Sequence, residues 1–238
     1  VTKTITVKPR KGNPVPRTCE TPAGMLNSIG LENPGIDVFI AEKLPRLAKI
    51  GPPVIVSVAS EGGLDEFAVL TKRLSACPAV AGLEINISCP NVKHGAVAAG
   101  RRLTAQDPQA TAEVVKTVRG LTDKTIITKL SPNVTDIAEI ARAAEGAGSD
   151  ALCLINTLAG MSIDVNTRTP RLAMISGGLS GPSIRPVAVK MVWELYRTVK
   201  IPLIGMGGIA DTVSALEFFI AGATAVSVGT QNFINPRV

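Results

Sequence analysis

Aliphatic and β-branched residues fall in short runs along this chain, and more polar stretches with apolar positions three or four residues apart lie between them. The runs at 53–58, 82–88, 125–130, 151–155, 202–206 and 225–228 predict strands, and 1–7 predicts one more at the start. Between them, 64–76 sets Phe67, Leu70 and Leu74 on one face and predicts an amphipathic helix. Asp107 and Pro108 open a second helix reaching 118: an N-cap, then a proline at the first turn, where no N–H is needed. Further helices are predicted over 136–144, stopped by Gly146 and Gly148, over 182–199, over 211–221 and, upstream, over 35–48.

Strict alternation of strand and helix implies an α/β fold with a parallel sheet covered on both faces. The run Ala151-Leu152-Cys153-Leu154-Ile155 suits such burial. Seven strands, and no G-x-G-x-x-G after an early one, favour a (β/α)8 TIM barrel over an open Rossmann sheet. The expectation is a single barrel domain over 1–238, truncated at both ends and lacking the first strand and the final helix. In barrels the chemistry sits at the carboxyl ends of the strands. Ser57, Asn86, Cys89, Lys129, Asn156, Gly207 and Gly229 gather near those ends, together with long connections at 8–33, 91–106 and 157–181.

Composition narrows the function. Hydrophobic residues make up 45% of the 238 and aromatics only 3%, so the core is aliphatic. The net charge of +6 is dispersed, with one short run at Lys8-Pro9-Arg10-Lys11. Without a basic cluster interleaved with aromatics, nucleic-acid binding is not expected, whereas an anionic small molecule is served by a few positive charges. Cys19, Cys77, Cys89 and Cys153 form no C-x-x-C pair, and His94 is the one histidine, so neither a zinc site nor an iron–sulfur cluster is suggested. The cysteine usage fits a reducing cytosol. No apolar run reaches membrane-spanning length.

Gly205-Met206-Gly207-Gly208 and Val228-Gly229-Thr230 put glycines at two adjacent strand ends. Backbone N–H groups exposed there cradle a phosphate, although tight turns alone also call for glycine. Lys129 and Lys3 lie on predicted strands and give the mouth a positive potential; a solvated lysine and a Schiff-base lysine are the rival readings for Lys129. Cys77 and Cys153 read as packed thiols. Cys89 differs, because it follows a strand and precedes a proline in a polar loop, where a thiol with a reference pKa of about 8.5 can act as a base. Asn27, Asn86, Asn91 and Asn156 are turn or cap candidates, but several carboxamides at one mouth suit a ligand with alternating N–H and C=O edges.

The segment Asn86-Ile87-Ser88-Cys89-Pro90-Asn91-Val92-Lys93-His94-Gly95 resembles the active-site loop of the dihydroorotate dehydrogenase family. The cysteine and the Lys93-His94-Gly95 continuation resemble its NAD-linked class 1B catalytic subunit. Asn27-Ser28-Ile29-Gly30-Leu31, Ile155-Asn156-Thr157 and Gly205-Met206-Gly207-Gly208 match as well, and the resemblance spans essentially the whole chain. It implies FMN and the oxidation of (S)-dihydroorotate to orotate in pyrimidine (UMP) biosynthesis. Cys89 takes the C5 proton in that picture, and the C6 hydride passes to the flavin. Lys3, Asn27, Ser28, Ile29, Gly30, Leu31, Asn86, Asn156 and Thr157 are implied as substrate residues. Lys3, Thr4, Asn86, Lys129, Ile155, Gly181, Gly207, Gly208, Gly229 and Thr230 are implied as FMN residues. No metal is implied. The resemblance further implies a cytoplasmic enzyme, a homodimer within a heterotetramer, whose electron-transfer subunit carries FAD and a 2Fe-2S cluster and passes electrons to NAD.

The chain departs from the class 1B pattern at Ser57, where an asparagine is usual, and at Ala96, where the pattern is His-Gly-Gly. Two other functions compete from the residues alone. One is a phosphate-binding barrel lyase or aldolase that uses Lys129 as a Schiff-base nucleophile; the other is an inactive, truncated remnant.

Overall fold

The computed structural model describes residues 1–61, 63–87 and 103–237. Its strands, in chain order, are β1 (Thr18–Thr21), β2 (Gly24–Asn27), β3 (Val54–Val58), β4 (Val80–Asn86), β5 (Thr125–Lys129), β6 (Ala151–Leu154), β7 (Leu158–Met161), β8 (Ile163–Asp164), β9 (Thr169–Pro170), β10 (Ser176–Ser180), β11 (Leu203–Met206) and β12 (Ala225–Ser227). Six of them form one parallel sheet in the order β12-β11-β6-β5-β4-β3. The N-terminal segment extends it beyond β3 through a parallel bridge between Ile5 and Val58. Ile5 N donates to Ser57 O at 2.8 Å, and Ala59 N donates to Ile5 O at 3.1 Å. The described residues thus fill seven strand positions of a (β/α)8 barrel.

The run at 1–7 takes a strand's place without pairing as a continuous strand. Thr6 N donates to the Asn33 carboxamide at 3.2 Å instead of to a ladder carbonyl, and the Thr6 hydroxyl donates to Lys8 O at 2.6 Å. The Asn33 side chain, 27 residues on, and the Lys8 carbonyl thus take the Thr6 groups.

The helices Leu64–Ser75, Pro108–Arg119, Ile137–Gly146, Arg185–Tyr196 and Thr212–Ile220 lie where the apolar periodicity places them. Asp107 caps the second, its carboxylate accepting from Gln109 N at 2.9 Å, and Asp136 caps the third, accepting from Ala138 N at 2.7 Å. The segment predicted as one helix over 35–48 is α-helical at Gly35–Val38, widens into a π-turn at Phe39–Lys43 and resumes at Leu44–Ala48. Pro45 has no N–H for the carbonyl four residues back, and its ring crowds that carbonyl, which accounts for the widened turn just before it. The predicted helix over 182–199 starts as a 3-10 turn, Pro182–Ile184.

Alternation along the strands sorts two cores. Residues such as Val56, Leu83, Ile85, Ile126, Leu152 and Leu203 face outward into the sheet–helix layer. Ile127, Ala151 and Cys153, with Ile55, Ile204 and Met206 against them, fill the barrel interior. Above this plug the interior positions turn polar: Ser57 pairs with Glu84, and Asn86 pairs with Lys129.

The long connections at 8–33 and 157–181, left by the sequence as loops, hold an antiparallel sheet in the order β1-β2-β10-β7. Gly178 is its centre, opposite Asn27 on one side and Ala159 on the other. A Cβ on Gly178 would overlap the Thr157 side chain, and one on Gly177 would come within 2.6 Å of Asn27 O. Only glycine lets these three segments close on each other.

Candidate functional site

At the carboxyl ends of the parallel strands lie two contiguous cavities of about 320 and 400 Å³, each within the size range of small-molecule sites. Lys3, Asn27, Ile29, Lys129, Asn156, Thr157 and Met206 line both and form the passage between them.

The first lobe is floored by the barrel interior. Glu84, Asn86, Ser57 and Lys129 rise from β3, β4 and β5, and Thr4 comes from the N-terminal segment. The Asn86 carboxamide donates to the Thr4 hydroxyl at 3.1 Å, which lies 3.0 Å from the Ser57 hydroxyl, so the three are held as one chain. Ser57 therefore has a defined place beside Thr4 and Asn86, in a position where the family pattern carries asparagine. Gly30 and Leu31, with Ile29, bring a loop over the lobe by turning back at φ +76° and +56°. Asn33 fixes that turn, donating to Leu31 O at 2.7 Å while accepting from Gly35 N at 2.9 Å. Ser28 lies beneath, fully buried, lining neither lobe, with its hydroxyl lacking a hydrogen-bond partner among the described residues.

On the opposite wall the chain leaves β6 through a cis Leu154–Ile155 peptide. The Asn156 carboxamide accepts from Thr157 N at 2.8 Å. Asn133 supports this corner from behind, donating to Thr157 O at 3.0 Å and accepting from Ala159 N at 2.9 Å.

The second lobe is walled by backbone. Gly181, Gly207 and Gly208 have φ of +95°, +126° and +79°. A Cβ on Gly208 would sit 2.8 Å from Gly181 O, so these turns meet with no side chain between them. At Gly229 a Cβ would meet nothing within 4 Å. Thr230 follows, its hydroxyl donating to Ser180 Oγ at 2.8 Å, and Ile155 completes the wall. Among the described residues, Lys3 and Lys129 are the charged ones lining this lobe, and no Asp or Glu does. A glycine cradle with only cations at its rim matches a phosphorylated ligand such as FMN.

Under the cleft, burial first, and then the Glu84 carboxylate, push the Cys153 thiol from 9.0 up to about 12. It remains a protonated packing group, as expected from its place in an apolar strand. Cys77 is half-buried on the outside, its thiol 3.4 Å from Arg73 O. Among the described residues no group of three His, Cys, Asp or Glu is placed to hold a metal ion. Cys89, Asn91 and His94 lie outside the described residues.

All the remaining residues named from the sequence, Ser28 apart, line one lobe or the other. Glu84, Met206 and Gly178 are additional lining residues to which the sequence assigned no role. Glu84 was within reach of a period-two count back from Asn86; Gly178 read only as part of a loop.

These features define a (β/α)8-barrel enzyme class with a carboxamide-lined lobe joined to an anion-accepting glycine lobe at the strand ends. The family model described as dihydroorotate dehydrogenase matches residues 1–238. A protein of Trichlorobacter lovleyi named dihydroorotate dehydrogenase B (NAD(+)), catalytic subunit, is 56% identical over 99% of this chain and 76% of its own length. Proteins of the same name from Desulforudis audaxviator and Geobacter sulfurreducens are 57% and 55% identical, each over 99% of this chain and 75% of their own length. The chain belongs to the dihydroorotate dehydrogenase family.

Proposed function

We propose that this chain is the catalytic barrel of an NAD-linked dihydroorotate dehydrogenase, oxidising (S)-dihydroorotate to orotate in pyrimidine (UMP) biosynthesis. The observation that carries this reading is the meeting of Asn27, Asn86, Asn156, Lys3 and Lys129 in one lobe that opens onto a glycine-walled lobe with no acidic residue among the described ones. The reading is supported by identities above one half to relatives of that name.

The whole of 1–238 acts as one FMN-binding domain. Lys3, Asn27, Ile29, Gly30, Leu31, Asn86, Asn156 and Thr157 hold the substrate, with the carboxamides pairing to its alternating N–H and C=O edge and Lys3 facing its carboxylate, while Ser28, buried beneath them, supports the loop that carries Ile29 to Leu31. Lys3, Thr4, Asn86, Lys129, Ile155, Gly181, Gly207, Gly208, Gly229 and Thr230 hold FMN, with the phosphate on the glycine turns. Bound FMN supplies the acceptor for the hydride that leaves C6. Cys89 takes the proton from C5 as general base, and the electron pair of the broken C5–H bond forms the C5=C6 double bond of orotate as that hydride departs. Lys129, in the passage between the lobes, supplies positive charge where negative charge builds up on the acceptor.

The relatives' designation as catalytic subunit supports a second subunit. We assign to it FAD and a 2Fe-2S cluster carrying electrons to NAD, in a heterotetramer built on a homodimer of this chain. A cytoplasmic setting accords with the finding that no described helix is long and apolar enough to cross a membrane.

The test is the visible spectrum of the full-length protein under anaerobic conditions. A flavin band that bleaches on adding dihydroorotate is expected; a flavin band that dihydroorotate leaves untouched would reject the substrate, and a colourless protein that takes up no FMN would reject the cofactor.

A further inference from the structure

We infer that Glu84 is a positioning residue that anchors the Lys129 ammonium at the floor of the cleft and offsets its charge, thereby setting the reduction potential of the flavin held above it. This rests on the FMN reading of the cleft. The geometry is specific. Asn86 and Lys129 are register partners on β4 and β5, and Glu84 lies two residues before Asn86, hence on the same inward face and one layer deeper. Its carboxylate is 4.0 Å from Lys129 Nζ, with side-chain exposures of 5% for Glu84 and 17% for Lys129. Among the described residues lining the first lobe, Lys3 is the other charged side chain; deeper in the plug Cys153 stays a thiol, Met206 packs 3.3 Å from its sulfur, and Ile127 and Ala151 are apolar.

A carboxylate this deep is costly without a charge partner, and an apolar residue would fill the position at lower cost. Glu84 therefore reads as a device acting on Lys129. From the plug side it keeps the flexible lysine stem in one orientation. In a site shielded from water, it also cancels part of the positive field that Lys129 projects into the cleft. A flavin gains negative charge on reduction, so Lys129 relieved of the Glu84 carboxylate favours the reduced form.

Glu84→Gln keeps the size and removes the charge. In full-length protein loaded with FMN, we expect its midpoint potential to rise by about 30 mV, a tenfold change in a two-electron equilibrium. Glu84→Asp, which keeps a carboxylate, should stay nearer the parent value. On a Lys129→Met background, Glu84→Gln should raise the potential by less, because the part that acts through holding the ammonium is gone, which isolates the pair. Spectroelectrochemical titration reads all of these without turnover. A potential unmoved or lowered in Glu84→Gln, or raised equally with Lys129 absent, overturns the inference while leaving the FMN reading intact. A parent protein that binds no FMN overturns both.

Discussion

At the scale of single residues, the cleft holds its carboxamide edge by side-chain hydrogen bonds. Asn86, Thr4 and Ser57 are tied to one another at 3.0–3.1 Å, which fixes the carboxamide edge before any ligand arrives. Of the thiols within the described residues, Cys153 is pushed up to about 12 and cannot act near neutral pH. The proposed base is Cys89, taken from its sequence motif, and a reference thiol value of about 8.5 makes a working fraction of thiolate available there. Cys89→Ala should keep FMN bound yet slow flavin reduction by dihydroorotate by about 10²- to 10⁴-fold, the usual worth of a positioned base. Cys89→Ser should recover part of that rate with its optimum moved to higher pH, because a hydroxyl is the weaker acid. Stopped-flow reduction of both variants across pH checks the assignment, and an alanine variant reduced at the parent rate ends it.

At the scale of elements, the antiparallel sheet is fastened to the barrel rim, and Asn133 is one fastening. Its side chain donates to Thr157 O and accepts from Ala159 N, while the Asn133 carbonyl accepts from Gln106 Nε2 at 2.9 Å. The β5-to-helix connection thus clamps the start of β7, and with it the Asn156–Thr157 corner. Asn133→Ala should raise KM for dihydroorotate by roughly 10- to 100-fold through misplacement of that corner, with FMN content unchanged. Equal losses of FMN and substrate affinity would instead indicate general loosening. Neither Asn133 nor the sheet it holds was legible beforehand, for physical reasons. The barrel strands announce themselves through β-branched runs, and the helices through caps such as Asp107-Pro108. By contrast, β10 reads Ser-Gly-Gly-Leu-Ser and β7 Leu-Ala-Gly-Met, with glycines that pattern reasoning assigns to turns. Gly177 and Gly178 are there because Asn27 O and Thr157 leave no room for a Cβ, a fact about segments far apart in sequence. The site residues were legible from the motifs they sit in; Glu84 was not singled out because a lone carboxylate on a strand gives no sign of facing a lysine on the next one.

At the scale of the whole molecule, the cleft draws on nearly the entire chain, from Lys3 and Thr4 through the strand ends to Gly229 and Thr230. A ligand seated there joins the bridge at Ile5 on one side of the sheet to the turn after β12 on the other, so binding must be linked to global stability. At free FMN 100 times above its Kd the linkage is about 2.7 kcal/mol. At about 2–4 °C per kcal/mol for a chain of this size, Tm should rise by roughly 5–11 °C on reconstituting stripped full-length protein. Riboflavin, which has the ring without the phosphate, separates the two lobes of the cleft. The first lobe and the passage offer carboxamides and lysines to the ring, whereas Gly181, Gly207, Gly208 and Gly229 offer backbone to the phosphate. FMN should therefore raise Tm clearly more than riboflavin at equal concentration in a calorimetric melt. Equal shifts from the two would mean that the glycine turns close the fold without holding an anion, and the phosphate would have to be sought elsewhere on the barrel.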